Sequence, residues 1–286
     1  RLSLVGSEMC IRDGLLRRRT RPLKPPVVGT RPSLRSFTWS SLVLSTLVTY
    51  HFGRVFGICA EKGSELPAED PARKFKGRFV FQGSEVKDQN WDTAIFQELG
   101  SSPAAMEAGN SCDFYGLLPG NRTEQSDAEQ AYTQSLLRGT LTWVFLPRDR
   151  WPQAWVDAGL KNPVVPLRLA LYGHPDAGGY WEKHCDTHLC ECGFEVVPGW
   201  RSCYFHSAVR LYLIVYVDDF KMSGPSENLQ KGWDLIRPKI KMDDPTNFNH
   251  FLGCTHVEGV AELDGTSAPV RTMTYDMENF LVACVD

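Results

Sequence analysis

The stretch that decides the fold is Leu211-Tyr212-Leu213-Ile214-Val215-Tyr216-Val217-Asp218-Asp219. Seven consecutive apolar residues, most of them β-branched or aromatic, predict a strand that is buried on both faces. Residues 220–223 can return as the second arm of a tight hairpin, so we expect its tip to carry Asp218 and Asp219. Adjacent carboxylates at the end of a buried strand repel each other unless protons or cations neutralise them. An Asp-Asp pair alone is also compatible with an ordinary acidic surface turn.

Composition narrows the class of protein. The chain has 286 residues, enough for one large domain or two small ones with a hydrophobic core. Its 42% apolar and 23% charged residues exclude a collagen, a coiled coil, bulk disorder and a polytopic membrane protein. Nine cysteines are too few for a disulfide scaffold, which favours a reducing compartment. A net charge of −3 neither supports nor excludes nucleic-acid binding, because a polymerase combines acidic residues at its centre with basic residues along its walls.

Residues 1–50 differ from the rest of the chain. The first 35 are rich in arginine and proline without an apolar period, and we expect residues 1–50 to be a disordered basic leader or a sequence artefact. Residues 37–50 resemble a signal peptide only weakly and are too short to span a bilayer, so we expect no stable membrane association. From residue 51 to 286, short apolar runs alternate with helical patterns. These features predict one α+β domain, with room for subdomains.

Two separated motifs resemble those of reverse transcriptases. Tyr216-Val217-Asp218-Asp219 resembles the catalytic motif of that family, and Asp127-Ala128-Glu129-Gln130-Ala131-Tyr132 resembles the upstream motif, an aspartate followed five residues later by an aromatic. Apolar positions 128, 131, 132 and 136 predict a helix after Asp127. The resemblance implies catalytic and metal-binding roles for Asp127, Asp218 and Asp219. It implies that Tyr132 is the sugar gate, whose ring excludes a 2′-hydroxyl; otherwise Tyr132 is a core aromatic residue.

Further matches are similar to the copia-type retrotransposon branch and follow the order of that branch from about residue 74 to 256. Residues 74–83 resemble its basic fingers strand, in which Lys76 and Arg78 would bind the triphosphate, although a basic strand is often a solvated edge. The segment 170–181 resembles its Leu-Tyr-Gly loop, with Gly173 beneath nucleotide and template and Trp181 at the tryptophan position of the family. Phe251, Leu252 and Gly253 resemble the primer grip, and residues 143–147 resemble the segment after the first catalytic motif.

The resemblance implies a reverse-transcriptase palm, an antiparallel sheet with packed helices, plus fingers, with the thumb largely missing. It implies an RNA-directed DNA polymerase fragment of a retrotransposon polyprotein that uses two Mg²⁺ ions, with Mn²⁺ as the substitute. The expected partners are a primed RNA or DNA template, dNTPs, and integrase and ribonuclease H modules outside this chain. The family is expected in cytoplasmic particles or the nucleus. The alternative is an inactive remnant that at most binds nucleic acid.

The chain also departs from the family pattern. Pro175-Asp176 stands where the branch usually has Lys-Gln, which removes a basic and an amide contact. Asp243 stands where the family often has a lysine near the primer grip, a place that Lys239 or Lys241 could fill. Residues 122–126 are unusually polar for a central strand.

A second candidate site is a cluster of cysteines and histidines. Its members share a 23-residue segment and are His184, Cys185, His188, Cys190, Cys192, Cys203 and His206. Such a density of soft ligands is compatible with zinc and with a zinc-stabilised interaction module. The spacing lacks a C-x-x-C pair, however, and residues 181, 184, 185, 188 and 189 form one helical stripe that favours helix packing. Residues 227–237 predict an amphipathic helix with Leu229, Trp233 and Ile236 facing inward.

Overall fold

The computed structural model describes residues 49–62, 69–70, 73–96, 101–262 and 269–285, so residues 1–48 of the predicted leader 1–50 lie outside the described residues, and Tyr50 already begins the first strand. The strands are β1 (Tyr50–Lys62), β2 (Lys74–Phe81), β3 (Asn121–Asp127), β4 (Leu141–Phe145), β5 (Val164–Pro166), β6 (Glu195–Val196), β7 (Cys203–His206), β8 (Leu211–Tyr216), β9 (Asp219–Pro225), β10 (Thr246–Asn247), β11 (His250–Phe251), β12 (Cys254–Ala261) and β13 (Val270–Asp276). The helices are α1 (Met106–Leu117), α2 (Ala131–Gln134), α3 (Gln153–Asp157), α4 (Ala177–Glu191), α5 (Ser226–Ile236) and α6 (Glu278–Val285). The protein is thus a mixed α+β protein, as predicted.

The described residues form two compact units. The first contains the residues up to 96 and residues 135–180, and the second contains residues 101–134 and 181–285. None of the described helices has the length and hydropathy needed to span a bilayer.

The first unit is built on a four-stranded sheet in the order β2-β1-β4-β5. The register pairs Ile58 with Arg78 and Ala60 with Lys76, so Lys76 and Arg78 lie on the same, exposed face of the β1–β2 hairpin. Phe79 and Phe81 alternate with them and are buried in the core of this unit.

The second unit is built on an antiparallel six-stranded sheet in the order β10-β3-β9-β8-β7-β6. Along β8, Leu211 and Leu213 pack into a core that includes residues of α4 and α5. Ile214 points to the other face and packs with Cys112 of α1. The prediction that this strand is buried on both faces is confirmed.

Both helix predictions for the second unit are confirmed. In α5, Leu229, Trp233 and Ile236 are buried, and Arg237-Pro238 follows the helix end. In α4, Cys185 and Leu189 belong to the buried stripe, and Gly193 follows with φ = 90°, a backbone conformation that favours glycine.

Two local features differ from what the sequence pattern indicates. The helix after Asp127 is only α2, four residues long, because Ser135 and Leu137 form backbone hydrogen bonds with residues 168–170 instead of extending the helix. The polar run before Asp127 is the regular strand β3, paired with both β9 and β10. Its polarity is accommodated because Glu124 accepts a hydrogen bond from the Trp233 indole.

Candidate active site

The motif that begins at Asp127 and the motif at residues 216–219 meet at one end of the six-stranded sheet. Strands β3 and β9 are antiparallel, and their register places Asp127 directly opposite Asp219. Directly paired residues of antiparallel strands have Cβ atoms about 4.5–5.5 Å apart and point to the same face. The Ala128 amide donates a hydrogen bond to the Asp218 carbonyl over 2.7 Å, which brings Asp218 to the same corner. Aspartates that are far apart in the sequence therefore share one site.

A two-residue turn presents the second and third of these acids. Tyr216 pairs with Asp219, so the turn consists of Val217 and Asp218, and Asp219 is already the first residue of β9 rather than part of the tip. Val217 has φ = 58°. Asp218 does not share this positive φ, which is the pattern of a type II′ hairpin turn.

The electrostatics of the corner reflect an excess of negative charge. Burial, together with the charges of Asp218 and Asp127, raises the pKa of Asp219 to about 6. A side-chain hydrogen bond between Asp127 and Asp219 contributes to this rise, because it stabilises the protonated form of Asp219. A cation at this corner would take the place of that proton.

Tyr132 lies beside the acids. Its side chain is half-buried and packs against the core beneath β8 and β9. Burial and then the negative charge of Asp218 raise its pKa, so the phenol remains neutral. The structure therefore brings Tyr132 near Asp218 while leaving part of the ring exposed.

Two of the predicted nucleotide-binding residues of the first unit, Arg78 and Gly173, are held in place by their neighbours. The Arg78 guanidinium lies 5.4 Å from the centre of the Tyr172 ring, a cation–π contact that limits its rotamers. The Phe81 amide donates a hydrogen bond to the Tyr172 carbonyl over 2.7 Å. Gly173 follows with φ = 85°, and a Cβ there would lie 2.2 Å from the Phe81 carbonyl oxygen. Only glycine fits this position, so the loop is held against the end of β2.

The departure at Pro175-Asp176 has a structural consequence. Asp176 is buried, and its amide donates a hydrogen bond to Nδ1 of the equally buried His174. Burial, with a further contribution from His51, lowers the pKa of His174 to about 4. Asp176 is therefore an interior residue of this loop rather than an exposed substitute for the missing basic contact.

The predicted primer-grip residues form a tight hairpin in the second unit. Phe251 ends β11, and Leu252 and Gly253 form the turn before β12 with φ = 51° and 79°. Positive φ at both positions is typical of a type I′ turn. Phe251 is buried and Leu252 is exposed.

Sequence reasoning missed a buried charge behind this site. Lys221 follows Asp219 by two residues on the same face of β9, yet its side chain is 1% exposed. Its ammonium group lies 2.7 Å from Asp113 Oδ1 and 4.6 Å and 4.9 Å from the ring centres of Phe248 and Phe251. The signal was a lone lysine within the otherwise uncharged return arm, because a buried cation needs a carboxylate partner.

The structure also places the residues around Asp243. The Asp243 amide donates a hydrogen bond to the Asp127 carbonyl, and the Glu129 amide donates one to the Lys241 carbonyl. Residues 241–243 therefore lie beside the motif that begins at Asp127. The side chain of Lys239 is paired with Glu191 over 3.1 Å. Lys241 is therefore the lysine of the two that lies next to the acidic corner.

Within the ranges that the structure describes, no group of three or more His, Cys, Asp or Glu side chains is placed as the ligands of a metal ion. In the cysteine and histidine segment, Cys185 packs on one face of the six-stranded sheet and Cys203 on the other. At the acidic corner, the side chains of Asp127 and Asp219 share a hydrogen bond. Magnesium ions usually bind through one or two carboxylates together with substrate phosphates, and the oxygen donors of this corner fit that mode.

The acidic corner predicts a specific pH dependence of stability. Unfolded aspartate titrates near pH 3.9, so between about pH 4 and 6 the folded state binds more protons at Asp219 than the unfolded state does. The free energy of unfolding should therefore fall as pH rises through this window.

We expect Asp219→Asn to be more stable than the wild type at pH 7.5 and equal to it at pH 4, measured by urea unfolding without divalent ions. Asp234→Asn, on the exposed side of α5, is the matched control; a less stable Asp219→Asn protein at pH 7.5 would contradict the charge excess.

Comparisons with known proteins point to retroelements. No protein-family model matches the chain. The chain is 25% identical over 183 residues to the Transposon Ty1-DR4 Gag-Pol polyprotein of Saccharomyces cerevisiae, which covers 62% of this chain and 11% of the relative. It is 28% identical over 157 residues to the Retrovirus-related Pol polyprotein from transposon RE2 of Arabidopsis thaliana, which covers 54% of this chain and 10% of the relative. The match thus spans about a tenth of each polyprotein, and it supports a retroelement origin of the chain.

Proposed function

We propose that this chain is a reverse-transcriptase domain of a retrotransposon polyprotein, an RNA-directed DNA polymerase that transfers a nucleotide from a dNTP to a primer 3′-hydroxyl. In this proposal the second unit is the palm and the first unit is the fingers. The observation that carries the proposal is the antiparallel pairing of Asp127 with Asp219 beside a turn that contains Asp218. The similarity to Gag-Pol and Pol polyproteins supports it.

The chemistry of the corner suits phosphoryl transfer. Bound Mg²⁺ would lower the pKa of the primer hydroxyl and neutralise charge on the triphosphate and on the departing pyrophosphate. Asp127 and Asp218 are the residues that we propose to hold the ions, and Asp219 completes the negative charge. Because the pKa of Asp219 is raised, this corner has to lose a proton before it can bind cations.

Other residues would position the substrates. Lys76 and Arg78 share the exposed face of the β1–β2 hairpin, where their charges can bind phosphate oxygens. Gly173 allows a substrate to approach the loop backbone closely, since that position has no side chain. Tyr132 would lie against the deoxyribose, and the turn at Leu252 and Gly253 would contact the primer strand.

The test is primer extension by the purified chain on a primed RNA template and on a primed DNA template, with Mg²⁺, Mn²⁺ or EDTA. We expect dNTP incorporation on both templates that requires the divalent ion. A chain that binds the primed template but extends it with neither metal is an inactive remnant, and that result would overturn the proposal.

The sugar gate predicts a change in substrate choice. Replacing Tyr132 with valine removes the ring that would clash with a 2′-hydroxyl. The preference for dNTPs over rNTPs should therefore fall by about a hundredfold, because a steric contact in a pocket typically changes discrimination by about 10- to 200-fold. The readout is the ratio of kcat/KM values for matched dNTP and rNTP, which does not depend on how much protein is folded. Tyr132→Phe keeps the ring and should keep the ratio. An unchanged ratio in Tyr132→Val would remove Tyr132 from this role.

A further inference from the structure

The turn that presents the catalytic acids has an unfavourable backbone conformation. Six described residues other than glycine have positive φ, and among these six Val217 alone is β-branched. A β-branched side chain at φ = 58° crowds its own backbone, so this conformation persists only where neighbouring groups impose it. Glycine is the residue that a type II′ turn prefers at this position.

One side-chain hydrogen bond reaches the backbone of this turn. The Trp181 indole N–H donates a hydrogen bond to the Val217 carbonyl oxygen over 2.6 Å. Trp181 is 2% exposed and its ring stacks on His184, so the donor is fixed in direction by the packing of α4. Both residues belong to the second unit.

We propose that Trp181 is a positioning residue for the acidic corner: its indole N–H holds the Val217 carbonyl and so keeps the turn in the strained form that presents Asp218 and Asp219. This role rests on the proposed polymerase function for its effect on catalysis, but its effect on the turn does not. The Ala128 amide reports the turn directly, because it donates to the Asp218 carbonyl.

The experiment compares the wild type, Trp181→Phe, Val217→Gly and the double variant. Phenylalanine keeps an aromatic ring in the core and removes the donor. With valine at position 217, we expect Trp181→Phe to lower kcat of primer extension about tenfold, the effect of one backbone hydrogen bond, with little change in the KM for dNTP. In the Val217→Gly background the same substitution should lower kcat by about threefold or less, because glycine adopts positive φ without crowding.

A second readout needs no substrate. Hydrogen exchange of the Ala128 amide should become about tenfold faster in Trp181→Phe and should return to within about threefold of the Val217→Gly rate in the double variant. If primer extension is absent from all four proteins while this exchange pattern holds, the polymerase function fails and the positioning role stands.

The matched control is Trp233→Phe. Trp233 is buried in the same core, and its indole donates to Glu124 Oε2 over 2.8 Å, away from the turn. We expect no selective change at Ala128 and no rescue by Val217→Gly. The proposal is overturned if Trp181→Phe leaves Ala128 exchange unchanged, or if Val217→Gly fails to reduce its effect, because Trp181 would then act only by filling the core.

Discussion

Replacing Asp218 with asparagine is expected to reduce primer extension by about a thousandfold without unfolding the protein. Asparagine preserves the shape of the side chain but removes the negative charge that would hold a metal ion, and such electrostatic contributions amount to several kcal/mol, or about 4 kcal/mol for three decades in rate. The hydrogen bond from the Ala128 amide uses the Asp218 backbone carbonyl, so it survives the substitution. The measurement is the initial extension rate at saturating dNTP and Mg²⁺.

The matched control makes the same chemical change elsewhere. Asp234 lies on the exposed side of α5, where it accepts a hydrogen bond from Gln230. Asp234→Asn should extend primers at the wild-type rate. If Asp218→Asn retains more than a tenth of that rate, Asp218 does not bind the metal, and the acidic turn is only a surface turn.

The sequence was most informative where the pattern was local. The apolar run before Asp218 and the spacing of Leu229, Trp233 and Ile236 both reflect how a single strand or helix meets a core, and both predictions are confirmed. The positions of Asp127 and Asp219 were predicted as neighbours only through the family resemblance. The register that pairs them depends on how β3 aligns with β9, and no local pattern encodes it.

The features that differ from the sequence pattern concern residues whose structure depends on distant partners. The polar run of β3 forms a strand because β9 and β10 pair with it and Trp233 satisfies Glu124. The helix after Asp127 ends early because residues 135–137 pair with residues 168–170. Helical periodicity counts apolar positions and contains no information on such competing backbone hydrogen bonds.

The second large effect concerns stability. Replacing Asp113 with alanine is expected to lower the free energy of unfolding by about 4 kcal/mol, because it leaves the Lys221 ammonium buried without its counter-charge. Both side chains of this ion pair are 1% exposed. Burial lowers the pKa of His256 despite the nearby Asp113, so this histidine is neutral at pH 7 and Lys221 is the cation that balances Asp113. For a chain of this size the loss corresponds to a decrease in Tm of roughly 10 °C.

The partner substitution should cost less. In Lys221→Met, the Asp113 carboxylate keeps the hydrogen bond that the Tyr275 hydroxyl donates over 3.1 Å. In Asp113→Ala, the partners that the ammonium keeps among the described residues are the Gly109 carbonyl at 3.1 Å and the two aromatic rings. We therefore expect the free energies of unfolding to follow the order wild type, Lys221→Met, Asp113→Ala, measured by urea unfolding at pH 7.

The double variant Asp113→Leu/Lys221→Met separates a charge effect from a packing effect. Replacing both members of a buried ion pair by apolar residues removes both desolvation costs, so the double variant should recover at least half of the stability that Asp113→Ala loses. If instead the losses add, the site depends on the shape of these side chains rather than on their pairing. Phe248 and Phe251 contact the same ammonium group. If the double variant regains stability but binds primer more weakly than the wild type, the Asp113–Lys221 ion pair also holds the β11–β12 hairpin in place.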